Sequence, residues 1–392
     1  MTMEYRCISA DCHIDLCWLP QDLFVANASQ AMKDRMPHVV EGPDGPKWVA
    51  RSVQNLGFAN GKGGTGAVSA NGYKYAPGMD ERTDRIAATG LYTDGSQGKF
   101  RPTTPELRLQ DQDRDGIQAE VIYGLLGAGK KISDGEAAVE FYRIYNDWLA
   151  SFCSFDRERL VGLASIPSHS VEMAVAETRR VARLGVGGLD FSASSGMAPL
   201  WDTSWNPFWQ AVTEANLPVH FHGGGGAPAD QLRDDLPEVY KQVARVVRLA
   251  PSHFGIAPIL AALIFGGVLE RYPKLRVVFG EIDIGWIPYY LDRMDIKFES
   301  GFNRNIPFLK LKPSEYWRRQ CRVTFQYDRI GVKLLDEIGI ETLMWASDYP
   351  HPDGVFPDSQ EYIKRQFGHL PAVTQRRIIC DNAGKFYGLI SA

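Results

Sequence analysis

The sequence predicts an α/β protein built as a distorted TIM (β/α)8 barrel. Eight short runs of apolar, β-branched or aromatic residues alternate with helical patterns, and eight strand–helix units are the number that closes such a barrel. The strand runs are almost continuously apolar, as expected for parallel strands that are covered on both faces. One stretch, Cys17 to Asp115, breaks the rhythm. We therefore expect a single barrel domain over residues 1–392 with a long insertion at 17–115, between strands 1 and 2.

Each predicted element rests on a local pattern. Strands are predicted where the apolar runs are four to eight residues long, and helices where apolar residues recur every three or four positions. The strands are expected at residues 5–11, 118–124, 160–165, 186–192, 218–222, 275–281, 321–326 and 342–348. The helices are expected at 135–155, 171–184, 205–216, 256–272, 284–298, 329–338, 359–367 and 374–387.

Composition excludes several classes of partner. The chain has 392 residues, of which 44% are hydrophobic and 23% charged, as in ordinary globular proteins. Its net charge of -4 and its scattered Lys and Arg argue against a nucleic-acid surface. The sequence shows no secretion signal and no 18-residue apolar run, so membrane insertion is not expected. Six cysteines without a CxxC pair are typical of reduced core residues, so we expect a cytoplasmic protein.

The stretch 17–115 is rich in turn-forming residues, above all between Gly57 and Gly66. It is too long for an ordinary loop, and we expect it to form a lid over the barrel mouth. Its Gly-Lys-Gly-Gly-Thr-Gly segment lacks the spacing of a phosphate-binding loop. Aromatic residues in and near this stretch favour an apolar or aromatic ligand, and they are Trp18, Trp48, Tyr73 and Tyr75.

Residues with metal-ligand chemistry stand at the ends of four predicted strands. They are Asp11 and His13 on the first strand, His222 on the fifth, Glu281 on the sixth and Asp348 on the eighth. Parallel strands bring such side chains to one rim of the barrel, where catalytic metal sites of this architecture are assembled.

Neighbouring residues allow more than one role. Asp15 could add a ligand or accept a hydrogen bond from His13. His220 has the same strand parity as His222 and is expected one layer deeper. His351 and His253 are candidates for stabilising developing charge, although a lone His is more often packed or solvated. Considered without the other strand-end residues, Asp348 could also be a turn residue or the N-cap of a helix.

Taken together, these motifs resemble the amidohydrolase-related (amidohydrolase 2) family of the metal-dependent hydrolase superfamily, the branch that includes aminocarboxymuconate semialdehyde and resorcylate decarboxylases. The matching segments are Ile8 to His13, Tyr145 to Leu149, Arg159 to Gly162, Leu217 to His222, Val277 to Glu281, Gly285 to Pro288 and Met344 to His351. The resemblance implies that Asp11, His13, His222 and Asp348 are metal ligands. It also implies a homo-oligomer, either a dimer or a tetramer.

Glu281 departs from the family pattern, because the better-known decarboxylases place a His there. A carboxylate favours Mn, Fe or Zn and could bridge a second ion. The expected cofactor is therefore a divalent Zn, Mn or Fe ion, one or two per chain. The metal ligands expected are Asp11, His13, His222, Asp348 and Glu281, and the catalytic residues are Asp348, Glu281 and His351.

The first functional interpretation is hydrolysis of a small organic substrate by metal-activated water, with Asp348 or Glu281 accepting the proton. An alternative is non-oxidative decarboxylation of a small aromatic acid, with Arg51, Lys74 or Arg108 as the carboxylate clamp. A dinuclear iron oxygenase is a further alternative, and a catalytically inactive binding subunit is a fourth. The sequence leaves the identity of the substrate open.

Overall fold

The eight predicted strands form one parallel barrel. The computed structural model describes residues 3–43, 45–59, 81–193, 197–223 and 237–391. The barrel strands follow the order of the chain around the sheet. They are β1 (Ile8–Ile14), β5 (Ala119–Gly124), β6 (Leu160–Ile166), β7 (Gly188–Phe191), β8 (Val219–His222), β9 (Val277–Gly280), β10 (Cys321–Phe325) and β11 (Leu343–Trp345). Strands β2 (His38–Val40), β3 (Lys47–Ala50) and β4 (Val53–Phe58) form a separate antiparallel sheet.

The barrel closes between its first and last strands, directly beside the predicted metal ligands. Cys12 pairs in parallel with Tyr349, just beyond β11. The backbone N–H of His13 donates to Tyr349 O at 2.7 Å, and that of Asp348 donates to Asp11 O at 3.0 Å. We call this contact the seam of the barrel.

Helices cover the outside of the barrel, and the largest core cluster lies between the sheet and these helices. The first part of the chain contains α1 (Leu23–Asn27), α2 (Glu81–Ala88), α3 (Leu91–Ser96), α4 (Pro105–Asp115), α5 (Gly135–Cys153), α6 (Val171–Val181) and α7 (Asn206–Ala215). The second contains α8 (Glu238–Leu249), α9 (Ala257–Phe265), α10 (Val268–Arg271), α11 (Ile287–Lys297), α12 (Asn303–Asn305), α13 (Pro313–Gln320), α14 (Leu335–Ile338), α15 (Ser359–Phe367), α16 (Ala372–Arg376) and α17 (Asn382–Phe386).

Several predicted helices differ from those observed. The predicted helix 256–272 divides into α9 and α10, because Gly267 has φ 71°, which is incompatible with a continuous α-helix. At 329–338 a short 3-10 turn precedes α14, and at 374–387 a π turn separates α16 from α17. Helices α4, α8 and α13 were not predicted from the sequence.

The connection between β1 and β5 contains the small sheet and α1 to α4. Trp18 and Trp48 are fully buried, each within a hydrophobic core cluster. Arg108 on α4 is also fully buried; it pairs with Glu120 and donates to His13 O at 2.9 Å. Since its charge is already used within the protein, Arg108 is not a free substrate clamp.

The glycine-rich centre of the predicted lid lies outside the described residues, as do Tyr73, Lys74 and Tyr75. Arg51 lies in the turn between β3 and β4 and is exposed. No helix in the described part of the chain is long and apolar enough to span a membrane. All six cysteines are buried and free.

Candidate metal centre at the mouth of the barrel

The strand-end residues meet in one cluster. His13 Nε2 lies 3.3 Å from Asp11 Oδ1 and 3.2 Å from Asp348 Oδ1. His222 Nε2 lies 3.7 Å from Asp11 Oδ1 and 3.2 Å from Glu281 Oε2. Side chains that come from four different strands therefore converge, as parallel strands in a barrel predict.

His351 extends the cluster towards Asp15. Its Nδ1 lies 2.9 Å from Asp348 Oδ1, and its Nε2 lies 2.9 Å from Asp15 Oδ2. Its ring stacks on that of His13, with centroids 4.1 Å apart. His351 and Asp15 thus belong to the same site, although Asp15 is separated from the other carboxylates by the His351 ring.

Buried polar atoms without partners show that this cluster suits a metal ion. Asp11 Oδ1, both ring nitrogens of His13, His222 Nε2 and both Asp348 oxygens have no hydrogen-bond partner among the described residues. Leaving so many buried donors and acceptors unpaired is costly. The ligand atoms of Asp11, His13 and His222 lie within 4.8 Å of one another. Imidazole and carboxylate at such separations fit a divalent ion.

Other side chains orient these ligands. The Thr324 hydroxyl on β10 donates to Asp11 Oδ2 at 2.6 Å and accepts from the backbone N–H of Glu281 at 2.7 Å. His222 Nδ1 lies 2.6 Å from Gly223 O, so it carries the proton and leaves Nε2 free for a metal. A Cβ on Gly280 would lie 3.0 Å from His222 Cδ2 and 3.1 Å from Asp11 Oδ2, so this position must remain open.

The backbone is strained at two of these ligands. Glu281 has φ 47° and Asp348 has φ 57°, which are left-handed conformations that non-glycine residues rarely adopt. Such strain is found where the surrounding structure fixes a functional side chain. Both residues follow the last residues of their strands, where the chain must turn sharply away from the barrel.

Burial and mutual charge shift the pKa values of the cluster. Burial would raise the pKa of Asp11, but the charge of His222 and the bond to His13 lower it below its usual range. Burial would lower the pKa of His222, yet the Asp11 carboxylate raises it well above normal. The pKa of Glu281 is raised, by burial and then by the charge of Asp348. These opposed shifts indicate a crowded set of charges that a cation would stabilise.

The remaining histidine candidates lie around this cluster. His220 is fully buried one layer deeper, with Nδ1 3.0 Å from Leu189 O and Nε2 2.8 Å from the Tyr387 hydroxyl. Burial lowers the pKa of His220 to about 3, so it is neutral. His253 Nδ1 lies 3.0 Å from Glu281 O, and its Nε2 lies 3.6 Å from Asp283. His253 therefore supports the turn after Glu281.

Asp190, near the end of β7, was not among the site residues predicted from the sequence. Asp190 is paired in register with His220, whose ring points into the barrel, and parity places Asp190 on the same face. Burial raises its pKa to about 6, and the charges of His222, His13 and Lys130 act on it. The sequence did contain a signal for this residue, because Asp190 stands in the fourth predicted strand at a position whose side chain points into the barrel.

The chain is similar to known proteins over most of its length. The chain matches the family model described as Amidohydrolase over residues 10–389. It is 25% identical over 293 residues to 2-amino-3-carboxymuconate-6-semialdehyde decarboxylase of Dictyostelium discoideum, an alignment that covers 73% of this chain and 77% of that protein. It is 26% identical over 264 residues to gamma-resorcylate decarboxylase of Rhizobium radiobacter, with 62% and 76% covered.

Solved structures share the fold. An amidohydrolase from Mycobacterium avium subsp. paratuberculosis superposes with a TM-score of 0.71 at 20% identity, and 99% of each chain is covered. A dihydroxybenzoic acid decarboxylase from Polaromonas, solved with manganese and 2-nitroresorcinol, superposes with a TM-score of 0.63 at 20% identity, covering 80% of this chain and 95% of that one. The predicted barrel is confirmed.

Proposed function

Since the chain belongs to the amidohydrolase family, we propose that it is a metal-dependent decarboxylase that removes CO2 from a small aromatic carboxylic acid. The expectation of an enzyme from this superfamily is confirmed by the family match. Hydrolysis, our first interpretation of the sequence, has less support than its alternative, because the two curated relatives described above are decarboxylases. We propose an aromatic acid as substrate because one of these relatives is a gamma-resorcylate decarboxylase.

The buried cluster at the barrel mouth is the observation that carries this proposal. Asp11, His13 and His222 would hold a divalent ion with their unpartnered atoms, and Asp348 lies against His13 on the other side. A divalent ion bound there attracts the anionic oxygens of a substrate and stabilises negative charge that develops on it. Manganese is our first choice, because the Polaromonas decarboxylase was solved with it.

Asp190 is the proposed proton donor. In decarboxylation the bond from the carbon to CO2 breaks, its electron pair stays on the carbon, and a proton must form the new C–H bond. A carboxyl group with a pKa of about 6 is partly protonated near neutral pH, which suits a general acid. The charges of His222 and His13 act on the Asp190 carboxyl group. After Asp190 has given its proton to the substrate carbon, water supplies a new one.

The test is direct detection of product. Protein reconstituted with Mn²⁺ is incubated with gamma-resorcylate, 5-carboxyvanillate and other hydroxybenzoates in D2O. We expect CO2 release, together with deuterium at the carbon that carried the carboxylate. His222→Ala serves as the inactive control, because it removes a proposed ligand while the buried core of the barrel stays intact.

The other interpretations give different products in the same assay. Release of an alcohol, amine or acid without CO2 would establish hydrolysis, and O2 consumption would establish oxygenation. Either result would contradict the decarboxylase proposal. A cytoplasmic location and assembly into a homo-oligomer remain predictions.

A further inference from the structure

A buried phenol lies inside the barrel at the level of the proposed metal ligands. Tyr123 on β5 pairs in register with His13 on β1 and is 1% exposed. Its ring centroid lies 5.8 Å from that of His13 and 5.1 Å from that of His222. The Tyr123 side chain therefore packs directly against two of the proposed ligands.

The hydroxyl of Tyr123 reaches across the barrel towards β9. A Cβ built on Gly280 would lie 3.0 Å from this hydroxyl, 3.0 Å from His222 Cδ2 and 3.1 Å from Asp11 Oδ2. Gly280 pairs in register with His222, so its missing side chain leaves space at the same level of the barrel. The glycine thus leaves room for the tyrosine hydroxyl beside Asp11 and His222.

This hydroxyl is without a hydrogen-bond partner in the part of the chain that the structure describes, although it is shielded from solvent. Buried tyrosine hydroxyls usually have a partner, because an unpaired buried donor is costly. Tyr387 is a second phenol that faces His220, and its hydroxyl is paired with His220 Nε2 at 2.8 Å. The unpaired donor of Tyr123 is therefore available for an oxygen of a bound molecule.

Negative charge surrounds the Tyr123 hydroxyl. Burial raises the pKa of Tyr123 well above its usual value, and the charges that raise it further include those of Asp11, Asp190 and Glu281. The hydroxyl therefore keeps its proton and can donate a hydrogen bond to an anion. An ionised oxygen that enters this site meets several carboxylates, and a neutral donor beside it offsets part of their repulsion.

We propose that Tyr123 is a substrate-binding residue whose hydroxyl donates a hydrogen bond to an ionised oxygen of the substrate, next to Asp11 and His222. An aromatic acid offers a carboxylate oxygen for this contact, and a hydroxybenzoate also offers a phenol oxygen. Phenylalanine at this position would keep the ring against His13 and His222 but would lose the donor. This role rests on the proposed function for the identity of the ligand, whereas the contact itself is measured by binding and not by turnover.

The competing role is positioning of Asp11. Asp11 Oδ2 already accepts a hydrogen bond from Thr324 at 2.6 Å, and Asp11 Oδ1 lies 3.3 Å from His13 Nε2. Neither oxygen is hydrogen bonded to Tyr123. Asp11 is therefore held without the phenol, and the two roles predict different effects on metal affinity.

The test compares the affinity of wild-type protein and Tyr123→Phe for an unreactive ligand. Each protein is saturated with Mn²⁺ and titrated in a calorimeter with 2-nitroresorcinol, the inhibitor that was solved with the Polaromonas decarboxylase. We expect Tyr123→Phe to raise Kd about 10- to 100-fold, since it removes one hydrogen bond to a charged group. The Mn²⁺ content, counted by mass spectrometry, should stay at the wild-type value.

Tyr145→Phe is the matched control. Tyr145 on α5 is another fully buried phenol without a hydrogen-bond partner within the described ranges, but its hydroxyl packs against Gly124. Gly124 follows Tyr123 on β5 and therefore faces the outside of the barrel. Tyr145→Phe should bind 2-nitroresorcinol with nearly wild-type affinity. Circular dichroism establishes that both variants are folded.

Equal affinities of wild-type protein and Tyr123→Phe for 2-nitroresorcinol would overturn this role, even if wild-type protein releases CO2 from a hydroxybenzoate. So would a Tyr123→Phe protein whose Mn²⁺ affinity falls while its affinity for 2-nitroresorcinol at saturating Mn²⁺ does not. Weaker binding by Tyr123→Phe, together with no CO2 release from any hydroxybenzoate by wild-type protein, would support the role and contradict only the decarboxylase proposal.

Discussion

Asp190 and Glu281 are predicted to have different roles. The pKa of Asp190 is raised, and among the described residues Asp190 belongs to no cluster that could hold a metal ion. Glu281, in contrast, lies 3.2 Å from His222. Asp190→Asn should therefore lower turnover by about 10²- to 10⁴-fold, the range that general acids supply. Its metal content should stay at the wild-type value. Loss of metal together with activity would instead make Asp190 a structural support for the ligands.

The pKa of Asp190 also predicts the pH profile. The carboxyl group donates only when protonated, so kcat/KM should fall as pH rises through about 6. Asp190→Asn should lose this limb of the profile, measured between about pH 5 and 9. Should the limb persist unchanged in the variant, another group supplies the proton.

The same shift affects stability with a defined sign. The folded pKa of about 6 exceeds the ordinary value of 3.8, so the folded state holds this proton more tightly than the unfolded chain. The stabilising contribution is complete below the ordinary value and is lost as pH rises through about 6. Thermal unfolding at several pH values should therefore show wild-type Tm falling relative to Asp190→Asn over this interval. A constant difference would contradict the raised pKa.

At the level of the elements, β10 supports ligands on two other strands. Thr324 contacts Asp11 on β1 and the backbone of Glu281 beyond β9. Thr324→Val keeps the side-chain shape but removes both hydrogen bonds, so Mn²⁺ affinity should fall by about 10- to 100-fold, as for other residues that orient ligands. Titration with Mn²⁺ measures this. Thr324→Ser, which retains the hydroxyl, should bind with nearly wild-type affinity.

Helix α4 provides a structural rather than a substrate-binding cation. Arg108 pairs with Glu120 on β5 and donates to the carbonyl of His13. Arg108→Met should destabilise the protein by about 3–5 kcal/mol, because Glu120 would be left as a buried uncompensated charge. Denaturant unfolding measures this. Arg108→Met with wild-type stability but a greatly raised KM would restore the clamp interpretation.

The sequence predicted the barrel strands well because the strands are short runs in which apolar residues dominate. It also predicted that Asp11, His13, His222, Glu281 and Asp348 lie together, since parallel strands share one rim. The structure of the irregular connection from 17 to 115 could not be predicted, because its small sheet and short helices lack a sustained periodicity of apolar residues. Asp190 was missed because a single acid in a strand has no spacing partner, and its raised pKa arises only from burial in the folded barrel.

For the whole molecule, the proposed metal centre lies across the seam. Asp11 and His13 belong to β1, and Asp348 follows β11, so an ion bound to them would join the two edges of the sheet. A ligand that binds only the folded state stabilises it by mass action. Adding Mn²⁺ to stripped protein should therefore raise Tm in a concentration-dependent way, and His222→Ala should show a smaller rise. Equal Tm with and without metal would contradict a buried centre at the seam.

The seam also constrains when the site can exist during synthesis. Ser9 on β1 contacts the backbone N–H of Ser347 at 2.8 Å although the two residues are 338 positions apart. A ribosome that has made β1 through β10 has therefore produced most of the barrel but not the residues that complete its metal cluster. We therefore expect a chain that ends before Asp348 and His351 to lack the complete cluster, even if most of its barrel strands are present.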